Sequence, residues 1–336
     1  MQSNKIWLLL DSSKSGGIES HVLQLAEGLK QHGEAVEVIF VTDYGYHPLR
    51  EALNALRIPN RTLDGTFKTL YSTVKKERPM VVHTHGYKAG ILGRFAARLN
   101  RIASISTYHA GEIGAGKMAF YDWLDRFSAR LTNKNFAVSP QIAKRLPGNT
   151  EVFKNFVNTK NLVDSMGQQI AFVGRVSAEK GPDYFMALAA TLPDLDFHLY
   201  GDGPQLAELK KQCPDNLKSH GQQDDMSLVW PNIGLLVLPS RFEGLPMAAL
   251  EAMARGIPVV AFNVGALDKL IDHEFNGWLI EAGNMDKLSK QVNAWSCFSY
   301  QHKLCLQSAC KQTIKQQYCS RVAIPKLLAN YQQFAK

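Results

Sequence analysis

The sequence predicts an α/β protein built from two Rossmann-like, doubly wound domains. Three observations lead to this fold class. The chain has 336 residues, about the length of two ordinary domains. Short apolar runs of strand length alternate with periodic segments of helical length, which is typical of parallel sheets covered by helices on both faces. The alternation breaks at a polar segment, residues 155–169, and then begins again.

The elements follow from this alternation. In the first half, apolar runs predict the strands Ile6–Leu10, Val36–Val41, Met80–His83, Ala103–Thr107, Phe136–Val138 and Glu151–Lys154, with helices at Ile18–Leu29 and Gly90–Leu99. In the second half they predict the strands Ile170–Val173, Asp196–Tyr200, Gly234–Leu238 and Pro258–Phe262. Open parallel sheets bind ligands beyond the carboxyl ends of their strands, so we expect a site in a cleft between the two domains.

Several classes of protein are excluded. No apolar run approaches the roughly 18 residues of a membrane span, and the N-terminus lacks the pattern of a signal peptide. There are five cysteines, without a Cys-x-x-Cys pair, so neither a disulfide framework nor a zinc site is expected. We therefore expect a protein of a reducing, cytoplasmic-type compartment.

The charge of the chain is unevenly distributed. The formal net charge is +8, and all of this excess lies in residues 1–165, whereas the remainder is neutral. Basic residues concentrated in one domain favour an anionic partner, such as a nucleic acid, a membrane surface or a phosphorylated substrate. A basic face that is simply solvated explains the same pattern.

The first candidate site is the loop after the first strand. Gly16 and Gly17 let the backbone approach a ligand closely, and the helix that follows offers free N–H groups to an anion. The spacing matches neither the dinucleotide-binding Gly-x-Gly-x-x-Gly pattern nor a P-loop. A glycine pair that only forms the turn is equally compatible with the sequence.

The second candidate site is the segment Gly174–Gly181. Arg175 and Lys180 flank a loop that leaves a predicted strand. A guanidinium and an ammonium at this separation suit a diphosphate, because the first binds oxygens as a fork and the second as a point charge.

The third candidate site precedes and enters a predicted helix that ends at Gly256. Glu243 falls in the loop, whereas Glu251 lies inside an otherwise apolar helix, where a carboxylate needs a ligand or a polar partner. Between them, the N–H groups of Gly244 and Leu245 are expected to face an anion at the helix start.

These motifs together resemble a retaining glycosyltransferase of the GT-B fold, in the large family 4 group. The pair Glu243 and Glu251 has the spacing of that family's E-x7-E signature. The other blocks that carry the resemblance, in the same order as in the family, are Gly16-Gly17, His83-Thr84-His85, Thr107-Tyr108-His109, Gly174-Arg175 with Lys180-Gly181, and Gly201-Asp202-Gly203-Pro204. The resemblance covers residues 5 to about 290.

The resemblance implies domains and residue roles. It implies an acceptor-side domain at 1–158, a donor domain at 168–311 and a returning helix at 312–336. Catalytic roles are implied for Glu243 at the donor sugar, His109 at the reaction centre, and Arg175 and Lys180 at the diphosphate. Donor binding is implied for Gly16, Gly17, Arg175, Lys180, Gly244, Leu245 and Glu251, the last at the donor ribose.

The implied reaction moves a sugar from a nucleotide-diphosphate sugar to a saccharide or lipid-linked acceptor, with retention of configuration, in cell-envelope polysaccharide synthesis such as that of lipopolysaccharide. No cofactor, no metal and no nucleic acid is implied. Two alternatives stay open: a nucleotide-sugar 2-epimerase of the same plan, and a non-catalytic nucleotide-sugar-binding partner. One block departs from the family, because residues 265–269 lack the second Gly and the Glu of its Gly-Gly-x-x-Glu pattern.

The basic excess adds a further expectation about location. Arg94, Arg98 and Arg101 recur at helical spacing beside the apolar Leu92, Phe95 and Leu99. A helix of this kind binds anionic lipid, so we expect a cytoplasmic enzyme that lies peripherally on the inner face of the membrane. A helix that packs these apolar residues into the core and leaves its charges in water explains the same pattern.

Overall fold

A computed structural model describes residues 3–13, 16–109, 117–148, 150–160 and 162–334, without the side chains of Lys117 and Met118. The chain divides into two compact units. The first unit comprises Met1–Asn158 and Ser320–Lys336, and the second comprises Thr159–Cys319. Residues 312–319, which the sequence analysis joins to the returning helix, therefore cluster with the second unit.

The first unit is a seven-stranded parallel sheet with the order β3-β2-β1-β4-β5-β6-β7. Its strands are β1 (Ile6–Leu10), β2 (Val36–Phe40), β3 (Asn60–Thr62), β4 (Val81–His85), β5 (Ala103–Tyr108), β6 (Lys134–Ala137) and β7 (Thr150–Val152). Its helices before the second unit are α1 (Gly17–Gln31), α2 (Pro48–Ala55), α3 (Phe67–Glu77), α4 (Tyr87–Asn100), α5 (Lys117–Ser128) and α6 (Pro140–Ala143).

The alternation of side chains along β1 explains why this strand is apolar throughout. Ile6, Leu8 and Leu10 belong to the core on one face of the sheet, whereas Trp7 and Leu9 belong to the core on the other face. All five residues are at most 1% exposed. A central strand covered on both faces has no side on which a polar residue is tolerated.

The second unit is a six-stranded parallel sheet with the order β10-β9-β8-β11-β12-β13. Its strands are β8 (Gln169–Val173), β9 (Phe197–Tyr200), β10 (Leu217–Gly221), β11 (Ile233–Leu238), β12 (Val259–Phe262) and β13 (Gly277–Ile280). Its helices are α7 (Pro182–Thr191), α8 (Leu206–Leu209), α9 (Met247–Ala254), α10 (Met285–Ser296) and α11 (Tyr300–Thr313).

The C-terminal helix α12 (Ser320–Phe334) belongs to the first unit. Ile324, Leu327 and Tyr331 are buried in the core that also contains α1. Gly28 of α1 permits this approach, because a Cβ atom there would lie 2.9 Å from Ile324 Cδ1. The last helix thus completes the hydrophobic core of the unit in which the chain begins.

The structure confirms the predicted fold class of two Rossmann-like sheets with helices. Three strands were missing from the sequence prediction, namely β3, β10 and β13. Over the described part of the chain, no helix is both long and apolar enough to cross a membrane.

Candidate functional site

The strand order places a candidate site in each unit. In the first unit the order reverses between β1 and β4, and in the second between β8 and β11. At such a switch point the two connections leave in opposite directions and open a crevice at the carboxyl ends of the strands. The loops after β1, β8 and β11 carry most of the residues that the sequence analysis singled out, whereas His83 and His85 lie in β4, His109 follows β5 and Glu251 lies in α9.

Lys180 and Glu243 meet at the switch point of the second unit. Lys180 Nζ lies 2.7 Å from Glu243 Oε2, and the Ser240 hydroxyl donates a hydrogen bond of 2.8 Å to Glu243 Oε1. The Glu243 side chain is only 4% exposed, whereas that of Lys180 is 29% exposed. Both carboxylate oxygens are therefore held in place, while the ammonium group stays open to a ligand.

Backbone contacts hold the loops after β8 and β11 together. Gly181 has a positive φ of 66°, and a Cβ atom there would lie 2.1 Å from the carbonyl oxygen of Pro239. The Arg241 N–H donates a hydrogen bond of 2.8 Å to the carbonyl oxygen of Glu179. Only glycine fits at position 181, so this residue fixes the distance between the two candidate loops.

The two arginines of these loops differ in their surroundings. Arg241 donates hydrogen bonds of 2.8 and 2.6 Å to Asp183 and lies 4.2 Å above the Tyr184 ring. These hydrogen bonds hold the pKa of the Asp183 carboxyl below its usual range. Arg175 is exposed, and among the described residues no carboxylate forms an ion pair with it. Arg241 thus stabilises the loop, whereas Arg175 is available to a ligand.

Glu251 lies in the second turn of α9, downstream of Gly244 and Leu245 in the preceding loop. It is half-buried rather than buried. The Arg255 guanidinium donates a hydrogen bond of 3.0 Å to the Glu251 carbonyl oxygen. Burial lowers the pKa of Arg255, and the charge of Glu251 opposes this shift. The carboxylate thus has a cation nearby, a partner that its position in an apolar helix demands.

The loop after β12 also joins this site. Gly265 has a φ of 66°, and a Cβ atom there would lie 2.2 Å from the Glu243 carbonyl oxygen. The Ala266 N–H donates a hydrogen bond of 2.9 Å to the carbonyl oxygen of Gly244. The segment that departs from the family pattern therefore keeps the glycine that its contact with the Glu243 loop requires.

In the first unit, Gly16 and Gly17 form the start of α1. Gly16 precedes the helix with extended backbone, and a Cβ atom there would lie 3.2 Å from Glu19 Oε2. The Glu19 carboxylate accepts hydrogen bonds from the Gly16 backbone and the Ser12 side chain, and burial raises its pKa. The sequence analysis missed Glu19. A Glu at the third helical position, which reaches back to the N-cap backbone, is one half of a capping box; the other half needs a Ser or Thr side chain, which Gly16 does not have.

Four histidines of this unit form one cluster, of which the sequence analysis named three, in two separate blocks. His21 lies in α1, His83 and His85 in β4, and His109 directly follows β5. His83 is hydrogen bonded at both ring nitrogens, with the hydroxyls of Tyr331 at 2.6 Å and Thr107 at 2.7 Å. His85 Nδ1 and His109 Nε2 are 3.1 Å apart.

Burial keeps these imidazoles neutral. It lowers the pKa of His21 to about 4 and that of His83 to about 3. The pKa values of His85 and His109 also lie well below the usual range for the same reason. An uncharged His109 accepts or donates a hydrogen bond without adding a positive charge to the site.

A cavity of the first unit opens beside His109. Apolar side chains make up much of its lining, which also includes the polar groups of Tyr87, Asp122, Arg126 and Arg145. Carboxylate, guanidinium and phenol groups in one cavity suit a ligand that carries hydroxyl groups and negative charge.

Arg94 lies beneath this cavity and not on the surface, so its expected place on a lipid-binding face is wrong. The residue is 1% exposed, pairs with the Asp125 carboxylate and donates a hydrogen bond of 2.8 Å to the Tyr108 hydroxyl. Burial nevertheless raises the pKa of Asp125 to about 6. An arginine aimed at a buried carboxylate cannot also contact lipid.

Comparison with protein families matches both halves of the chain. Residues 15–160 match the family described as Glycosyltransferase Family 4, and residues 153–297 match the family described as Glycosyl transferases group 1. Together the two matches span residues 15–297, which contain every strand of both sheets except β1.

The chain is also similar to individual glycosyltransferases. The chain is 31% identical over 257 residues to the UDP-Gal:alpha-D-GlcNAc-diphosphoundecaprenol alpha-1,3-galactosyltransferase of Escherichia coli. The aligned region covers 65% of this chain and 66% of that protein, so the chain spans just under two thirds of the relative's length. It is 23% identical over 318 residues to the GDP-mannose-dependent alpha-mannosyltransferase of Corynebacterium glutamicum, covering 83% of this chain and 76% of that protein.

Solved structures share the fold. The structure of Anabaena Alr3699/HepE in complex with UDP-glucose matches with a TM-score of 0.83 and 19% identity, over 98% of this chain and 99% of that one. At this identity the similarity shows the fold alone, that of two Rossmann-like units, and does not identify a substrate.

Proposed function

The chain belongs to glycosyltransferase family 4, and on this basis we propose that it transfers a hexose from a nucleotide-diphosphate sugar to a saccharide or lipid-linked acceptor, with retention of configuration and without a metal. The observation that carries the proposal is the ion pair of Lys180 and Glu243 at the switch point of the second unit, at 2.7 Å. It combines a cation for a leaving diphosphate with a carboxylate for a sugar hydroxyl.

The donor diphosphate would be held by three kinds of positive group. Arg175 offers an exposed guanidinium, Lys180 offers an ammonium that is partly open, and the loop before α9 offers the N–H groups of Gly244 and Leu245. The attraction between these groups and the leaving phosphate increases as negative charge develops on the phosphate. An interaction that is stronger in the transition state than in the bound substrate lowers the reaction barrier. Glu251 would bind the ribose.

Each unit would contribute its own groups. In the second unit, Glu243 would contact the hydroxyls of the donor sugar. In the first unit, the neutral His109 would take part in the reaction, and Gly16 and Gly17 would bind a ligand through their backbone. Retention then follows from substitution on one face of the sugar, in which the departing phosphate takes the proton of the attacking hydroxyl, so that no protein nucleophile is needed.

Metal independence is supported by the placement of the charged groups. Arg175 and Lys180 provide the positive charge that a divalent ion would otherwise give to a diphosphate. Asp194 and Asp196 have a spacing suited to a metal, but both are exposed before the amino end of β9 and so lie at the opposite edge of the sheet from the site.

For the acceptor we propose a sugar attached to a diphosphate lipid, and for the donor a UDP-hexose. Both follow the Escherichia coli relative at 31% identity. The cavity beside His109 has Arg126 and Arg145 in its lining, which suit the phosphates of such an acceptor. The pathway would be the synthesis of a cell-envelope polysaccharide, such as lipopolysaccharide.

A lipid-linked acceptor requires the enzyme to work at a membrane surface, and α5 supports this. Phe120, Trp123 and Phe127 are more than half exposed and stack along one side of the helix. We call these three residues the α5 aromatic stripe. Exposed aromatic rings beside basic residues are typical of helices that lie at the interface of a bilayer. The enzyme would thus act peripherally, on the cytoplasmic face.

A transfer assay tests the proposal. Purified protein is incubated with UDP-hexoses and a GlcNAc-diphospholipid in excess chelator, and the anomeric configuration of the product is measured by NMR. We expect an α-linked product from an α-linked donor. Isomerisation of the sugar nucleotide without acceptor would instead indicate a 2-epimerase, and donor binding without turnover a non-catalytic partner. Loss of transfer in chelator would contradict metal independence.

A further inference from the structure

Three of the four clustered histidines are arranged to share one ion. His21, His85 and His109 each offer a ring nitrogen, and these three atoms lie within 4.8 Å of one another. The ring centroids of His21 and His109 are 4.6 Å apart, and those of His85 and His109 are 5.4 Å apart. The three side chains come from α1, from β4 and from the segment after β5, so they converge only in the folded unit.

The cluster contains buried ring nitrogens without partners. His21 Nδ1 and His85 Nε2 are inaccessible to solvent and have no hydrogen-bond partner in the described part of the chain. A buried polar atom left unpaired costs about 1–3 kcal/mol, so natural proteins rarely keep two in one place. A bound ion that takes up such lone pairs removes this cost.

The chemistry of the three ligands selects the ion. Burial favours the neutral form of each imidazole, which is the form that binds metals. Three imidazoles suit zinc and its borderline neighbours, whereas magnesium and calcium prefer oxygen. In a tetrahedral site with Zn–N bonds of 2.0–2.1 Å the ligand atoms lie about 3.3 Å apart, so each pair of ring nitrogens, now within 4.8 Å, has to approach by at most about 1.5 Å.

We propose that His21, His85 and His109 form a binding site for a borderline transition-metal ion, with Zn²⁺ as the preferred ligand and the fourth position open. Other residues of the cluster would hold the ligands in place. Asn155 is a hydrogen-bond partner of His21, and partners of this kind orient metal-binding imidazoles. His83 packs against His85, with the ring centroids 4.4 Å apart.

The site would regulate the enzyme rather than serve its reaction. His109 also lines the cavity that we assign to the acceptor, so an ion that takes up its lone pair removes that imidazole from the reaction centre. This regulatory effect rests on the proposed function, whereas the existence of the metal site is independent of the proposed function.

Co²⁺, whose absorption spectrum reports tetrahedral coordination, tests the site without any assay of activity. The metal-free chain is titrated with Co²⁺ and then with Zn²⁺ as competitor, and with Zn²⁺ alone while thermal unfolding is followed. We expect one tetrahedral site per chain, displacement of Co²⁺ by Zn²⁺ and a higher melting temperature with Zn²⁺. No binding at micromolar metal, or octahedral Co²⁺ only, would overturn the proposal.

Variants locate the site. His21→Gln and His109→Gln should each weaken binding at least about tenfold. His109 is partly exposed, so its variant still tests the site if the buried His21→Gln does not fold. The matched control is the double variant His198→Gln/His220→Gln, which removes a pair of ring nitrogens 2.9 Å apart in the second unit. Binding that survives in both single variants, or that is lost in the control, would contradict the assignment.

Discussion

At the scale of single residues, the two glutamates of the E-x7-E signature occupy different environments. Glu243 has both oxygens held by Lys180 and Ser240, whereas Glu251 is half-buried in α9 next to Arg255. A carboxylate fixed by a cation is positioned for the reacting sugar. The Glu251 carboxylate, on the side of a helix, is positioned for a part of the donor that does not react, namely the ribose.

The two glutamates should therefore separate in kinetics. Glu251→Ala should weaken nucleotide binding at least about tenfold, because it removes a charged hydrogen-bond acceptor. Glu243→Gln keeps the shape of the side chain but loses its charge, so it should lower kcat with little change in nucleotide affinity. Calorimetry with the nucleotide and steady-state kinetics measure the two effects. Unchanged nucleotide affinity in Glu251→Ala would contradict the ribose role.

Single residues also mark what the sequence could not reveal. The E-x7-E spacing and the Lys180 loop are local patterns and are visible in the sequence. The four histidines are separated by up to 88 positions, from His21 to His109, and only the fold joins them. Arg94 has the spacing of a surface residue, but its burial depends on Asp125, which lies on another helix.

At the scale of elements, prediction succeeded where strands are covered on both faces. β1, β11 and residues 170–173 of β8 are continuous runs without a polar side chain because these strands are covered on both sides. β3 consists of Asn60, Arg61 and Thr62 at the edge of its sheet, where half-exposed polar residues are tolerated. Such an edge strand has no apolar pattern from which to predict it.

The α5 aromatic stripe gives a test of membrane binding. The variant Phe120→Ser/Trp123→Ser/Phe127→Ser should lose most binding to anionic vesicles, because interfacial aromatic rings provide the apolar part of the attachment. Sedimentation with vesicles at increasing salt measures this. The control is Phe275→Ser/Tyr300→Ser, which removes two exposed aromatic residues of the second unit. Wild-type protein that stays in the supernatant at low salt, or equal losses in both variants, would contradict the membrane role.

Helix α12 should be essential to the stability of the first unit. Ile324→Ala removes a fully buried side chain that packs against α1, and it should cost about 2–5 kcal/mol in the free energy of unfolding. Lys326→Ala, on the exposed side of the same helix, is the matched control. Urea denaturation measures both. A loss of less than 1 kcal/mol in Ile324→Ala would show that the helix is not part of this core.

At the scale of the whole molecule, the four clustered histidines make the first unit sensitive to acid. Their pKa values in the folded state lie below the usual 6.5. The unfolded chain therefore binds more protons, and stability is full above pH 6.5 and falls as the pH decreases toward about 4. Asp125 and Glu19 act in the opposite direction because their pKa values are raised, but they are outnumbered.

In metal-free protein, the free energy of unfolding of the first unit should thus fall by up to about 1.4 kcal/mol per pH unit for each buried histidine. Urea denaturation with pulses of protease at several pH values measures it. His83→Asn should reduce the slope, whereas His32→Asn, at an exposed position, should not. A stability that is constant or increases from pH 6.5 to 4.5 would contradict the burial of neutral imidazoles.

The charge of the whole chain also follows the units. The second unit is not basic, and the excess of Lys and Arg lies entirely in the first. This division was visible in the sequence. One of the basic residues, Arg94, is buried and pairs with Asp125, so its charge belongs to the interior and not to the surface. The remaining basic residues on the surface would attract an anionic membrane or a phosphorylated acceptor.

The central claim is that the loops after β8 and β11 hold the diphosphate of a sugar donor, and calorimetry of nucleotide binding tests it most directly. UDP is compared with UMP, and GDP with GMP, in the wild type, in Arg175→Ala, in Lys180→Ala and in the exposed control Lys211→Ala. We expect at least about tenfold tighter binding of one diphosphate than of its monophosphate, with this advantage lost in the first two variants and kept in the control. Equal binding of diphosphate and monophosphate, or an unchanged advantage in both Arg175→Ala and Lys180→Ala, would contradict the account.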